Sequence, residues 1–297
     1  MHRSRAIEKD SRLIVGPNVT YETTRNRVDG MMRIICCLAI WIAAAPAGWA
    51  QEWAKKRLED SPRHGEWVQY EQGDRRIDAF VTFPEVAKQA TAVVVIHEIF
   101  GLTDWVRGVT DQLAEAGYIA IAPDLLSGMG PEGGNSTSFA DGEGARRAIG
   151  LLPPDQITAD LTATVDYVRH LPACNGKVVV IGFCWGGSQT FRFATNNATI
   201  QAACPFYGSG PQTADEIERI VCPVYGFYAE NDARVNASLP TSEALMKAAG
   251  KSWDLVVYAG AGHAFMRSGE APDASPENSR ARREAWQRLT EILSAIQ

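Results

Sequence analysis

The chain has 297 residues, of which 45% are hydrophobic and 22% are charged. These values are ordinary for a globular protein, and the length fits one large α/β domain or two small ones. The formal net charge of −6 gives no indication of nucleic-acid binding, so we expect no nucleic-acid partner.

Residues 31–50 have the pattern of a secretory signal peptide. Arg33 gives a positive start, and an almost wholly apolar run leads to a small-x-small cleavage site at Gly48-Trp49-Ala50. The run is short for a membrane span, so an uncleaved anchor is the less favoured alternative. We therefore predict that residues 1–50 are an upstream segment plus signal peptide and that residues 51–297 form one domain. This domain is expected to be periplasmic or secreted, with no membrane partner after signal cleavage.

Strand and helix patterns alternate along the rest of the chain. Apolar or alternating runs bounded by Gly and Pro predict strands at 65–71, 75–83, 92–96, 118–122, 178–181, 202–207, 224–229 and 253–258. Helical spacing predicts helices at 104–116, 139–152, 157–171, 188–195, 238–249 and 279–296, and 127–138 is predicted to be a loop. Such alternation is typical of βαβ units, so we expect an α/β fold with a mainly parallel central sheet flanked by helices.

The strand at 178–181 runs into Gly182-Phe183-Cys184-Trp185-Gly186-Gly187, the pattern of a nucleophile elbow with Cys where Ser usually stands. The turn requires glycine at Gly182 and Gly186, since side chains there would collide with neighbouring backbone. It places the Cys184 thiol beside a helix N-terminus, whose dipole favours a thiolate. The alternative is a glycine-rich turn around a buried structural cysteine.

A thiol nucleophile in acyl transfer benefits from a base, and the base from an orienting acid. In α/β-hydrolases the chain order is nucleophile, acid, histidine, and His263 is the only one of five histidines that follows Cys184. The acid should follow the strand at 224–229, where Glu230 and Asp232 both qualify. We favour Asp232, because backbone N–H groups readily hold a short carboxylate in a turn. The alternatives are that His263 lies in a surface loop without a catalytic role and that Asp232 only stabilises a turn.

An oxyanion hole would use the backbone N–H of Trp185 and a second N–H from the loop after the strand at 92–96. That loop begins with His97 and Glu98. Two ionisable residues at the end of a buried strand are unexpected unless a site uses them, although a solvated loop is the alternative. No Cys/His spacing resembles a zinc site, so we expect neither a metal nor a cofactor.

Four motifs in this order resemble the dienelactone hydrolase (carboxymethylenebutenolidase) family of α/β-hydrolases, over roughly residues 65–297. They are His97-Glu98-Ile99-Phe100-Gly101, Ala122-Pro123-Asp124-Leu125, Gly182-Phe183-Cys184-Trp185-Gly186-Gly187 and Ala261-Gly262-His263-Ala264-Phe265. The resemblance implies an α/β-hydrolase fold with the nucleophile elbow at residues 182–186. It also implies a catalytic triad and two oxyanion-hole amides, which map onto Cys184, Asp232, His263, Ile99 and Trp185.

The resemblance further implies that Glu98 disfavours the thiolate by like-charge repulsion until substrate displaces it. The dienelactone-specific members hold a substrate carboxylate with two arginines, and guanidinium groups suit that task. Arg267 matches one of the two, and Arg146 and Arg147 are the candidates for the other. Surface arginines are the alternative. Phe100 completes the predicted substrate-binding set.

We therefore predict a hydrolase that cleaves a small-molecule carboxylic ester or lactone through a thioester intermediate, in a chain that we expect to be a monomer. A general carboxylesterase and a non-catalytic, thiol-based binding or redox-sensing protein are the alternatives. If Cys184 is the nucleophile, the remaining cysteines after the signal can form at most one disulfide; these are Cys174, Cys204 and Cys222.

Overall fold

The computed structural model describes residues 52–297. Eight strands occur in this part of the chain: β1 (Gly65–Gln72), β2 (Arg75–Thr82), β3 (Ala90–Ile96), β4 (Ile119–Pro123), β5 (Cys174–Phe183), β6 (Ala202–Phe206), β7 (Val224–Asn231) and β8 (Trp253–Gly262). They form one sheet in the order β1-β2-β4-β3-β5-β6-β7-β8.

The sheet is mainly parallel, as predicted. β1 pairs antiparallel with β2, and β2 antiparallel with β4. All other neighbouring strands are parallel. Because the carboxyl ends of parallel strands lie at one edge of a sheet, the segments that follow β3, β5, β6, β7 and β8 all begin on the same side of the molecule.

Ten α-helices are found in the described residues: α1 (Glu52–Glu59), α2 (Asp104–Glu115), α3 (Gly142–Ile149), α4 (Pro154–Arg169), α5 (Trp185–Ala194), α6 (Ala214–Glu218), α7 (Ala233–Asn236), α8 (Leu239–Ala248), α9 (Phe265–Ser268) and α10 (Pro276–Ile296). The segment predicted to be a loop, 127–138, contains two short 3₁₀ turns at Pro131–Gly133 and Ser136–Ser138.

Helices cover both faces of the sheet. Successive residues of a strand point to opposite faces, so Val94 and Ile96 of β3 belong to one core layer and Val93 and Val95 to the other. The first layer includes residues of α3, α4 and α5, and the second includes residues of α2 and α10. Every residue of β3 is buried, which explains why this strand reads as a continuous apolar run.

Two element boundaries near the carboxyl edge differ from the sequence prediction. α5 begins at Trp185, directly after its N-cap Cys184, rather than at residue 188. β8 continues to Gly262 rather than ending at residue 258, since it stays paired with β7 across a register shift.

Several helices also differ. α10 begins at Pro276 rather than at residue 279, with Ser275 as its N-cap accepting a hydrogen bond from the Asn278 N–H. Four helices were not predicted: α1, which packs against α2, and the short helices α6, α7 and α9.

The predicted signal peptide at 31–50, together with the segment that precedes it, lies outside the described residues. Between residues 52 and 297, no helix combines the length and apolar character that crossing a membrane would need.

Candidate active site

Cys184 occupies the turn between β5 and α5. Its backbone has φ 57° and ψ −116°, a conformation that is costly for a residue other than glycine. A Cβ at Gly182 would collide with the carbonyl oxygen of Gly186, and a Cβ at Gly186 would collide with the carbonyl oxygens of Ile96 and His97. Glycine is therefore required at both positions, as the elbow pattern predicts.

The surroundings of Cys184 favour the neutral thiol over the thiolate. Burial, followed by the negative charge of Glu98, raises the pKa of Cys184 to about 11. A hydrogen bond from the Trp185 N–H and the charges of Arg234 and Arg267 act in the opposite direction. The sequence predicted that the N-terminus of α5 would favour a thiolate, but burial and Glu98 outweigh the groups that favour it.

Cys184, His263 and Asp232 form a hydrogen-bonded line. Asp232 directly follows β7 and His263 directly follows β8, so both lie at the edge of the sheet where Cys184 follows β5. His263 Nδ1 is 2.5 Å from Asp232 Oδ2, and His263 Nε2 is 3.1 Å from Cys184 Sγ. A carboxylate can only accept, so Nδ1 carries the proton and donates to Asp232. Nε2 is then available to accept the thiol proton.

The alternative acid, Glu230, is engaged elsewhere. It is exposed, and its Oε2 accepts a hydrogen bond from the Gly260 N–H at 2.8 Å. Asp232 is buried, and its Oδ1 accepts from the Val235 N–H at 3.4 Å at the start of α7. The structure thus places Asp232, and not Glu230, against His263.

The two predicted oxyanion amides belong to segments that pack on each other. The Trp185 N–H points at the Cys184 sulfur. Gly186, the next residue, abuts the carbonyl of His97, two residues before Ile99. The Ile99 N–H makes no hydrogen bond to another residue of the described chain. This arrangement leaves the Ile99 amide available to a ligand oxygen.

Glu98 and Arg267 form an ion pair beside the thiol. Arg267 Nε donates to Glu98 Oε2 at 2.7 Å, and the Glu98 side chain is 4% exposed. Glu98 Oε1 is also buried, and it accepts no hydrogen bond from residues 52–297. An unsatisfied buried acceptor costs about 1–3 kcal/mol. The carboxylate therefore keeps an unfilled acceptor position next to Cys184.

The residues predicted to bind substrate separate into two pairs. The Arg267 guanidinium lies over the Phe100 ring, 5.9 Å from its centroid. Arg146 and Arg147 lie on α3 and are exposed, and Arg146 pairs with Glu143 of the same helix at 3.4 Å. The hydrogen bonds and ion pairs of the described chain do not connect either of them to the site. α3 begins against the Phe100 ring, where a Cβ at Gly142 would meet it, so a second carboxylate-binding arginine on α3 stays a prediction.

Tyr207 is a site residue that the sequence analysis missed. It follows β6, it is fully buried, and its φ is 39°. Its ring packs edge-on against His263 at 5.1 Å and against Phe265 at 5.3 Å between centroids. Its hydroxyl is buried without a hydrogen-bond partner in the described part of the chain, and burial raises the pKa of Tyr207 well above its ordinary value. The only sequence signal was an aromatic residue at the end of a predicted strand.

The remaining cysteines of the described chain are buried free thiols; they are Cys174, Cys204 and Cys222. Within residues 52–297 there is no group of three or more His, Cys, Asp or Glu side chains that could hold a metal ion. The chemical groups gathered at the site are therefore a thiol, an imidazole, two carboxylates, a guanidinium and a phenol.

A mainly parallel eight-stranded sheet with a cysteine at the sharp turn after β5, and a histidine after the last strand, defines an α/β-hydrolase. Residues 77–297 match the model of the Dienelactone hydrolase family. The chain belongs to the dienelactone hydrolase family and is an enzyme, a hydrolase of this class.

Individual relatives agree with this assignment. The chain is 30% identical over 258 residues to the "Putative carboxymethylenebutenolidase" of Saccharolobus solfataricus, covering 76% of this chain and 97% of the relative. It is 32% identical over 215 residues to the protein of the same name from Escherichia coli, covering 67% and 74%. Among solved structures it resembles a "Putative Dienelactone Hydrolase" from Klebsiella pneumoniae, with a TM-score of 0.68, 25% identity, and coverage of 79% and 99%.

Proposed function

We propose that the protein hydrolyses a carboxylic ester or lactone through a thioester formed on Cys184. The observation that carries this proposal is the line of hydrogen bonds from Cys184 through His263 to Asp232 at the nucleophile elbow. The name carboxymethylenebutenolidase, shared by several relatives, denotes hydrolysis of a lactone and supports the same chemistry.

In the first half of the reaction, His263 Nε2 takes the thiol proton while the sulfur bonds to the substrate carbonyl carbon. The carbonyl oxygen becomes an oxyanion, which the N–H groups of Trp185 and Ile99 stabilise. The imidazolium is stabilised by Asp232 and gives its proton to the leaving alkoxide oxygen as the carbon–oxygen bond breaks. The acyl group remains on the sulfur as a thioester, and for a lactone the new hydroxyl stays attached to it.

In the second half, His263 removes a proton from a water molecule that attacks the thioester carbonyl. The same two amides stabilise the second oxyanion. The carbon–sulfur bond then breaks, the sulfur recovers a proton from His263, and the carboxylic acid leaves. Substrate, one water molecule and the groups of the chain account for all atoms and charges of the two steps.

We further propose that the preferred substrate carries a carboxylate that takes the place of Glu98 on Arg267. Glu98 binds Arg267 through one oxygen, and the guanidinium is partly exposed, so an incoming anion can compete for it. Displaced Glu98 no longer acts on the thiol, and the substrate carboxylate that replaces it is neutralised by Arg267, so we expect the pKa of Cys184 to fall and His263 to deprotonate the thiol more readily. The exposed positions of Arg146 and Arg147 favour the second candidate, a general esterase without this preference.

The test is hydrolysis of p-nitrophenyl acetate and of a dienelactone by the full chain, by Cys184→Ala and by the control Cys222→Ala. Cys222 is a buried free thiol away from the described site, so its loss should leave turnover within about twofold. We expect turnover to fall by about 10³-fold or more in Cys184→Ala.

Each outcome of this test favours one candidate function over the others. Activity that survives Cys184→Ala would exclude Cys184 as the nucleophile. Activity on p-nitrophenyl acetate alone would favour the general esterase, and turnover of peptides would indicate a cysteine peptidase. If Cys184 is readily alkylated but neither ester is hydrolysed, the thiol-based binding or redox-sensing protein becomes the better interpretation.

We also propose that the protein is periplasmic or secreted, on the strength of the signal-like pattern at 31–50. N-terminal sequencing of the protein recovered from a bacterial periplasm should then start near residue 51. Recovery of the uncleaved chain from the cytoplasm alone would contradict this.

A further inference from the structure

Two of the four sequence motifs contain buried polar residues that the proposed chemistry does not use. His97 precedes Glu98 at the end of β3, and Asp124 lies in the Ala122-Pro123-Asp124-Leu125 motif after β4. Both are fully buried. Burying such groups is costly unless their hydrogen bonds are satisfied, so their partners are informative.

Both ring nitrogens of His97 bind backbone groups. The Leu125 N–H donates to Nε2 at 3.2 Å, so this nitrogen carries no proton. The neutral ring therefore has its proton on Nδ1, which donates to the Glu98 carbonyl oxygen at 2.8 Å. Burial lowers the pKa of His97, although the Asp124 charge acts against it, and the ring stays neutral. With neither nitrogen free, His97 cannot act as a base for the thiol.

The Glu98 carbonyl belongs to the peptide unit whose N–H is that of Ile99. A peptide unit is planar, so fixing the direction of its carbonyl also fixes the direction of its N–H. A carbonyl that accepts a hydrogen bond is polarised, which strengthens donation by the N–H of the same unit. The imidazole of His97 thus aims and strengthens the predicted oxyanion donor of Ile99.

The same imidazole contacts the second donor segment. Its ring stacks on the Trp185 indole, with centroids 5.6 Å apart and an interplanar angle of 16°. The backbone of His97 also abuts Gly186, where no side chain would fit. The His97 side chain therefore contacts the Trp185 ring and the peptide unit that carries the Ile99 N–H.

The far end of the loop is anchored separately. The Leu102 N–H donates to Ser136 Oγ at 2.9 Å, and Ser136 Oγ donates to Asp124 Oδ1 at 2.6 Å. Asp124 also accepts hydrogen bonds from the backbone N–H groups of Leu126 and Ser136. The segment that carries Ile99 is consequently fixed at both ends by buried polar groups.

We propose that His97 is a positioning residue that sets the geometry of the oxyanion hole through the Glu98 carbonyl and the Trp185 ring. This inference rests on the proposed function, because it concerns an oxyanion formed on Cys184. Asp124 and Ser136 complete the support from the other end of the loop.

The test separates oxyanion stabilisation from thiol reactivity in the full-length protein. Alkylation of Cys184 by iodoacetamide generates no oxyanion. Butanal adds reversibly to Cys184. A sulfur–carbon bond forms as the carbon–oxygen π bond opens, and the thiol proton passes by way of His263 to the former carbonyl oxygen, which lies in the oxyanion position. Its affinity can be measured as protection against iodoacetamide, with no need for ester turnover. The variants are His97→Phe, which keeps a ring but no hydrogen bond, and His97→Asn, which retains a donor for the Glu98 carbonyl.

We expect His97→Phe to weaken butanal binding and to lower kcat for ester hydrolysis by about 10- to 100-fold, a part of the effect of losing one oxyanion donor. KM and the alkylation rate should stay within about twofold, and His97→Asn should recover most of the loss. The assignment is overturned if His97→Phe binds butanal like the unchanged protein. It is also overturned if alkylation falls as much as butanal binding does, or if His97→Asn is no better than His97→Phe.

If His97→Phe does not fold, the test uses Ser136→Ala, which releases the far end of the loop. This variant should also weaken butanal binding more than alkylation, by a smaller factor. Butanal binding equal to that of the unchanged protein would count against the proposal. A protein that hydrolyses neither ester but shows the butanal pattern would refute the proposed function and leave the role of His97 standing. Normal ester turnover in a folded His97→Phe variant would refute the role of His97 and leave the proposed function standing.

Discussion

Arg267 holds Glu98 through one carboxylate oxygen, at 2.7 Å, while the other oxygen of Glu98 is buried without a hydrogen bond from the described chain. The pair places a negative charge near Cys184, whose pKa is raised to about 11, and a positive charge where an anionic ligand could bind. A change in this pair therefore changes the reactivity of the thiol.

Iodoacetamide alkylation of the free enzyme should report the raised pKa of Cys184. Only the thiolate reacts, so a raised pKa means less reactive protein at every pH below it. The rate should increase about tenfold per pH unit through pH 9 and level off near pH 11, beyond the ordinary value of 9.0. Cys184→Ala gives the background from the other five cysteines of the chain. A plateau at or below pH 9 would contradict the raised pKa.

Glu98→Gln should make the thiol more reactive. Removing the carboxylate charge stabilises the thiolate, so the pKa of Cys184 falls and alkylation at pH 8 becomes faster, by about tenfold for each unit of pKa lost. Burial remains the larger cause of the raised pKa, so the ordinary value should not be fully restored. The control is Glu143→Gln on exposed α3, which should leave the rate unchanged. Equal rates for the two variants would argue against a role for Glu98.

Asp232→Asn should lower kcat by about 10²- to 10⁴-fold, because an amide in place of the carboxylate no longer favours the His263 tautomer with its proton on Nδ1. Glu230→Gln is the matched control, since Glu230 binds only a backbone N–H and is exposed. Its kcat should stay within about twofold. A large loss in Glu230→Gln with a small one in Asp232→Asn would reverse the assignment of the acid.

Gly187→Ala should destabilise the fold. A Cβ at Gly187 would collide with the carbonyl oxygen of Phe206, which is backbone and cannot turn aside. We expect the free energy of unfolding to fall by about 3 kcal/mol or more. Gly108→Ala in α2 is the control, because a Cβ there meets open space and alanine favours a helix by about 1 kcal/mol. Urea denaturation compares the two, and equal losses would show that the elbow can relax.

Tyr207→Phe should separate binding from stability. The hydroxyl is buried without a partner in the described chain, so its removal should leave the free energy of unfolding unchanged or raise it by up to about 1 kcal/mol. The phenol lies close enough to Glu98 and Cys184 for their charges to act on it. If substrate supplies the missing hydrogen bond, kcat/KM should fall several-fold. A loss of stability without a change in kcat/KM would assign the hydroxyl a structural role.

Much of the site could be predicted from local patterns. Gly182 and Gly186 around Cys184 indicate a turn that other residues cannot form, and continuous apolar runs indicate buried parallel strands. Because parallel strands end at one edge of the sheet, residues that directly follow them can be expected to meet. This is why Asp232 and His263 were found from their place in the chain order, and why the mainly parallel sheet was predicted correctly.

The pairing of side chains depended on three-dimensional packing. Glu98 and Arg267 are separated by 169 positions, and no local pattern shows that they share a hydrogen bond. Tyr207 could not be distinguished from any other buried aromatic residue until its ring was seen against His263. Arg146 and Arg147 suited a carboxylate by residue type, but the orientation of α3 leaves them exposed. Residue type and spacing specify which chemical groups reach an edge of the sheet, whereas their distances and charges depend on how the loops and helices between them pack.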